Sequence, residues 1–187
     1  RLGNTPDFPI AYLGIIAAGM VAIPTSSALT VQEITKMAAL VAPVAILQDP
    51  AIPAPHTSAQ IIALSALRDM YDLPAAAWHM GDPERPAYVV FTSGTSATPN
   101  AVEHAHRAIW ARRMMHADWY DLHATDRLLH AGAFNWTFTL GTGLMDPWSV
   151  GATALIPSET TKIEKLPALL ATHKATLFAA APGIFRK

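Results

Sequence analysis

The sequence predicts an α/β fold with largely parallel sheet layers and flanking helices. Three observations carry that prediction. Short apolar strand-like runs alternate with helix-forming segments along the chain. Hydrophobic residues make up 51% of the 187 residues and charged residues only 14%, a balance suited to a buried, Ala-rich interior and not to a disordered chain. Prolines stand where elements must stop: Pro24, Pro43 and Pro50 each follow an apolar run.

The elements follow in order. Asn4-Thr5-Pro6-Asp7 opens a helix that runs to about Gly19 and is apolar nearly all round. Val21-Ala22-Ile23 is a short strand stopped by Pro24. Thr30-Val31-Gln32-Glu33 has the form of a capping box, which starts a helix over Val31–Val41. Val44-Ala45-Ile46-Leu47 is a strand, and residues 50–58 are a Pro-rich connector. Ile61–Leu64 reads as a strand and Ala66–Tyr71 as a short helix. Residues 73–86 form a second loose connector, with Gly81-Asp82-Pro83 at its turn. Tyr88-Val89-Val90-Phe91 is a strand, followed by a loop of small and hydroxyl residues and, after Pro99, a further apolar strand. Helices are expected over Arg107–Asp118, Trp136–Trp148 and Ile163–Thr172, and strands over Arg127–Ala131, Ala152–Ile156 and Ala175–Phe178.

Composition excludes several functions. The net charge of −1 offers no general field for nucleic acid, and Arg112-Arg113 is too small a basic patch to supply one. With no cysteine there is no disulfide, thiolate nucleophile or Cys-ligated zinc. Phe8–Leu29 carries one charge-free stretch, but Pro9, Gly14, Gly19 and Pro24 interrupt it, so a buried helix and strand fit better than a membrane span. No signal peptide is evident, which points to the cytoplasm. No Gly-x-Ser-x-Gly elbow is present. His104 and His106 are expected on one face of a strand, yet no third ligand accompanies them, so no metal site is assigned. Asp118, Asp121 and Asp126 read as solvated charges. The chain opens at Arg1 and stops just after Pro182-Gly183 begins a new element, as an internal piece of a longer protein would.

Chemistry concentrates in Thr92-Ser93-Gly94-Thr95-Ser96-Ala97-Thr98-Pro99-Asn100-Ala101-Val102-Glu103-His104-Ala105-His106. Small side chains let backbone N–H groups turn inward and the hydroxyls add donors, so such a loop can hold phosphate oxygens. It is not a Walker loop, because Gly-Lys-Ser/Thr does not follow at the required spacing. The segment resembles the phosphate loop of the adenylate-forming superfamily, Tyr-Thr-Ser-Gly-Thr-Thr-Gly-x-Pro-Lys-Gly-Val-x-His. It departs at Ala97 and Ala101, where the pattern has Gly, and at Asn100, where it has Lys. The two alanines predict a stiffer loop, and Asn100 removes a positive charge while keeping two N–H donors.

Further segments agree with that resemblance, closest to the medium-chain and aryl acyl-CoA synthetases. Phe134-Asn135-Trp136-Thr137, then Asp146-Pro147-Trp148 and Gly151-Ala152, match a Gly-Trp, Glu-Pro-Trp, Gly-Ala series, with Asn135 for Gly and Asp146 for Glu. Ala181-Pro182-Gly183-Ile184-Phe185-Arg186 and the stretch from Asn4 to Pro24 also resemble superfamily segments. The resemblance implies that residues 1–187 are part of the N-terminal domain, with the C-terminal domain absent. It implies phosphate-binding roles for Thr92, Ser93, Gly94, Thr95, Ser96, Thr98 and Asn100, and an acyl pocket shaped by Trp136 with Phe134 and Thr137. Core packing is the commoner use of a Trp, and Trp148 is assigned to it.

The implied reaction of the longer protein uses ATP, Mg²⁺ and CoA. A small-molecule carboxylate attacks the α-phosphate to give an acyl-adenylate, and a thiol then displaces AMP. The acidic metal ligand, the ribose-binding Asp and the C-terminal Lys are expected beyond residue 187, so the chain alone is expected to be inactive and, with apolar surface exposed, prone to self-association. Two alternatives stay open: a non-catalytic nucleotide- or acyl-binding relative with a degenerate loop, and an adenylation domain that loads a carrier protein.

Overall fold

In the computed structural model, which describes residues 1–92 and 99–186, the chain forms two units, Arg1–Ala105 and His106–Lys187. The first unit begins with α1 (Asp7–Ala17) and α2 (Val31–Val41). α2 starts where the capping box predicts: the Thr30 hydroxyl accepts from the Glu33 N–H, and the Glu33 carboxylate accepts from the Thr30 N–H at 2.9 Å. It ends at Ala42, in left-handed backbone with φ 43°, and Pro43 prevents continuation. Ile34 and Ala38 bury the inner face of the helix.

β1 (Ala45–Gln48) and β2 (Gln60–Ala63) pair in parallel, with Ala45 opposite Gln60, and α3 (Leu64–Asp69) follows at once. β3 (Pro86–Thr92) and β4 (Asn100–Ala105) form an antiparallel pair. Ala87, Tyr88, Val89 and Val90 are buried, and the Tyr88 ring meets Tyr12 of α1 edge-on at 5.9 Å. The strand expected over Val21–Ile23 shrinks to a single bridge, Ala22 to Tyr88, because Pro24 has no N–H to extend the ladder. The connector of residues 73–86 is tied to α1 by the His79 N–H, which donates to the Ala17 carbonyl at 2.8 Å. Gly19 turns the chain there with φ 78°, and a Cβ on it would overlap the His79 ring.

The second unit holds a three-stranded parallel sheet in the order β6-β5-β7, made of β5 (Arg127–His130), β6 (Thr153–Leu155) and β7 (Leu177–Ala179). β5 is central, and Leu128, Leu129 and His130 are all buried, as a strand covered on both faces requires. α4 (His106–Ala111) and α5 (His116–Tyr120) precede it, α6 (Thr137–Leu140) and α7 (Asp146–Ser149) link β5 to β6, α8 (Leu166–Thr172) leads to β7, and α9 (Pro182–Phe185) closes the unit.

Two expected helices are broken, each for a physical reason. The helix of residues 107–118 tightens to a 3-10 turn over Arg112–Met115 and resumes as α5, so that Arg112, His116 and Tyr120 all reach Asp146. The helix of residues 136–148 opens into a π-helical turn over Gly141–Met145, where Gly141 and Gly143 admit the Arg112 and His130 side chains. β4 stops at Ala105, so His106 opens α4 instead of sharing a strand face with His104. No helix among the described residues is long and apolar enough to cross a membrane.

Replacing Thr30 by Ala removes the reciprocal cap of α2. Urea unfolding is expected to show a loss of about 1 kcal/mol.

Candidate functional site

The β3–β4 pair places the ends of the hydroxyl loop. β3 delivers Thr92 and β4 begins at Asn100, and these two residues are register partners at the open end of the ladder. Ser93, Gly94, Thr95, Ser96 and Thr98, and with them Ala97, lie outside the described residues. What is described is the frame: two strands whose pairing holds a hydroxyl donor and a carboxamide donor face to face, with the loop between them. Behind them His104 stacks on its cross-strand partner Tyr88, ring centres 4.5 Å apart and 7° from parallel. Burial lowers the His104 pKa below its ordinary value.

Ala101 does not stiffen a turn. It lies within β4 opposite Phe91, and the only non-glycine residues with positive φ among those described are Ala42, Asp121 and Lys174. An extended backbone accepts a Cβ without strain.

Phe134, Trp136 and Thr137 come from the segment that leaves the carboxyl end of the central strand β5, the edge at which open parallel sheets bind ligands. Their environments differ. Phe134 is buried at 4% exposure, Thr137 is half-buried, and Trp136 is 59% exposed at the N-terminus of α6. The Leu140 N–H donates to the Trp136 carbonyl at 2.9 Å, which fixes the Trp136 backbone to the first helical turn. Phe138, which the sequence did not single out, is half-exposed beside them and meets the His130 ring edge-on at 4.6 Å. Trp148, expected in the core, is instead 44% exposed.

Below this segment lies a buried polar cluster that sequence reasoning missed. Asp146 is 1% exposed. Arg112 donates to it twice, Nε to Oδ1 at 2.7 Å and Nη2 to Oδ2 at 2.6 Å, the bidentate geometry that suits guanidinium and carboxylate. The Tyr120 hydroxyl donates to Oδ2 at 2.6 Å, and His116 Nε2 stands 3.4 Å from Oδ1. Arg112 Nη2 also donates to the Thr142 hydroxyl at 3.3 Å. Burial works to raise the Asp146 pKa, but the hydrogen bonds from Arg112 and Tyr120 and the Arg112 charge outweigh it and hold the carboxyl below its ordinary value. Burial and the bond to Asp146 push the Tyr120 hydroxyl up. The signal was available as Arg112, His116 and Tyr120 at four-residue spacing, but their shared partner is 34 residues from Arg112.

His130 ends β5 fully buried, with neither ring nitrogen hydrogen-bonded. Desolvation lowers its pKa to about 4, so the ring is neutral near pH 7. It packs over Gly143, where any Cβ would strike the imidazole, and beside Gly132, where a Cβ would overlap both His130 and Thr139.

A model of the AMP-binding enzyme family matches residues 1–187. The 3-hydroxybenzoate–CoA/4-hydroxybenzoate–CoA ligase of Thauera aromatica is 24% identical over 204 aligned residues, which take in 99% of this chain and 39% of that protein. A nonribosomal peptide synthetase of Lecanicillium sp. is 30% identical over 95 residues, 51% of this chain and 1% of the other. Among solved structures, a benzoate CoA ligase from Burkholderia xenovorans LB400 superposes with a TM-score of 0.84 at 23% identity, over 98% of this chain and 39% of that one. The chain thus spans well under half of the ligases it matches along its whole extent.

Two outcomes follow from the buried groups. Asp146→Asn leaves the Arg112 charge without its partner and is expected to cost about 3–5 kcal/mol in urea unfolding at pH 7. For His130 the folded ring has the lower pKa, so the unfolded chain gains the proton first. Stability is therefore complete above pH 6.5 and falls as the pH drops from 6.5 toward about 4. His130→Leu is expected to remove about 3 kcal/mol of that fall, read by comparing urea midpoints of the two proteins across the range.

Proposed function

The chain belongs to the AMP-binding enzyme family, and from that premise we propose that it is the N-terminal part of an ATP-dependent carboxylate–CoA ligase acting on an aryl acid. The single observation that carries this is the family match over residues 1–187, which takes in both the hydroxyl loop on the β3–β4 frame and the Trp136 segment. The aryl preference is supported by the hydroxybenzoate ligase relative and by the aromatic side chains, Trp136 and Phe138, exposed where β5 runs into α6.

The chemistry must bring a carboxylate to a polyphosphate, two anions that repel. The Thr92 hydroxyl, the Asn100 amide and the Ser93–Thr98 segment supply neutral donors for phosphate oxygens, which suits ATP in the manner of a hydrogen-bonding cradle. Mg²⁺, when bound, supplies the remaining charge screening. Trp136, with Thr137 and Phe134, orients the acid and excludes water from the reacting carboxylate. CoA takes the acyl group in the second step. A carrier-protein thiol is the alternative acceptor, favoured by the likeness to a nonribosomal peptide synthetase. Exposed Trp110 and Met114 support self-association of the chain on its own.

The test is ATP–pyrophosphate exchange by the full-length protein. Exchange that depends on an added aryl carboxylate supports the assignment, and its absence across benzoates and hydroxybenzoates refutes it. In the same assay Asn100→Lys restores a cation beside the phosphates and is expected to tighten ATP about fivefold to tenfold. An unchanged ATP affinity would show that charge at this position does not limit binding.

A further inference from the structure

Resting on the assignment of Trp136 and Thr137 to the acyl pocket, we propose that Arg112 is a positioning residue. Its guanidinium, wedged against Gly141, holds the π-helical turn Gly141–Met145, and that turn sets the direction in which Trp136 and Thr137 meet a bound carboxylic acid.

The turn is defined by the N–H of Asp146, which donates to the Gly141 carbonyl, five residues back instead of four. A π turn holds one residue more than the α-helix around it, is rare, and occurs frequently at functional sites. Here the Arg112 guanidinium packs against its first residue. A Cβ on Gly141 would overlap the Arg112 guanidinium carbon and both terminal nitrogens. The same guanidinium is tied to Thr142, the second residue of the turn, and to Asp146, the residue after it. One side chain therefore contacts the start, the second position and the end of the irregular turn.

The consequence follows from helix geometry. Closing a π turn to an α turn changes the register by one residue, which rotates the two flanks relative to each other by about 100°. The C-terminal flank is anchored. Asp146 and Pro147 are buried, and the Ala152 N–H donates to the Pro147 carbonyl at 2.8 Å just before β6. The N-terminal flank carries Trp136, bound through its carbonyl to Leu140, and Thr137. That flank is itself packed through Thr139 and Leu140, so a change of register shifts their packing and carries Trp136 and Thr137 with it. Arg112 touches no reacting atom. It acts through the turn.

Two variants of the full-length protein test this. Gly141→Ala puts a Cβ where the guanidinium sits and displaces it without changing either charged residue. The double variant Arg112→Gln/Asp146→Asn removes the wedge and leaves no buried charge unpaired. In crystal structures of either, the N–H of position 146 is expected to donate to the Thr142 carbonyl in place of the Gly141 carbonyl. The KM for an aryl acid is expected to rise on the order of tenfold to a hundredfold while the KM for ATP stays unchanged. A π turn that persists in both variants, an acid KM that does not move, or failure of both variants to fold overturns the proposal, the last by making Arg112 purely structural. If the wild-type protein shows no acid-dependent exchange, the functional assignment fails, and the crystal structures still decide whether Arg112 holds the turn.

Discussion

The second unit is organised around one buried carboxylate. Asp146 sits at 1% exposure, where an unpaired charge would cost several kcal/mol, so every neighbour must bring a donor. Arg112 brings two, Tyr120 one, and His116 stands within ionic reach. These donors come from three successive turns of the α4–α5 segment, while Asp146 itself begins α7. The carboxylate thereby fixes where α4–α5 lies against the link between β5 and β6. Conditions on sequence follow from it. Residue 141 must be Gly because the guanidinium occupies its side-chain space, and that glycine opens the π turn ahead of Asp146.

The same link is constrained from the sheet side. His130 closes β5, and its ring fills the space above Gly143 and beside Gly132. Two polar side chains thus press on the helical link between residues 137 and 149, a charged one at Gly141 and a neutral one at Gly143. Burial keeps His130 neutral, and a cation at that position would face a desolvated interior with no acceptor for its protons. The apolar neighbours Leu140, Leu144 and Met145 supply the packing, but the polar pair selects the helical register. A bidentate ion pair adds a directional constraint that apolar packing lacks.

Local chemistry made much of this fold legible in the sequence. α2 was readable to the residue because Thr30 and Glu33 cap it within one turn, and β5, β6 and β7 because buried parallel strands are short apolar runs between turn signals. The loop frame was readable because a β-branched run leads into it. What was not legible depends on residues far apart in the chain. Nothing near Arg112 announces that its partner is Asp146, and a Gly-Thr-Gly triplet in an apolar helix gives no sign of a π turn until the side chains that fill it are known. The environments of Trp148 and Phe134 were hidden for a related reason. An aromatic residue reads alike in sequence whether it faces the interior or the solvent.

The three departures from the superfamily loop pattern are not equal. A glycine matters where the backbone must turn through positive φ, and position 101 is an ordinary extended residue of β4, paired with Phe91. The alanine there changes no backbone constraint. Asn100 stands one residue earlier, at the first ladder position opposite Thr92, so it is held by strand pairing at the end of the hairpin from which the loop springs. Its amide can donate to a phosphate oxygen but carries no charge to offset one. At ordinary ionic strength a partly exposed cation beside a polyanion contributes on the order of 1 kcal/mol. Electrostatics, and not backbone shape, is therefore the property in which the described part of this loop frame differs from the pattern it resembles.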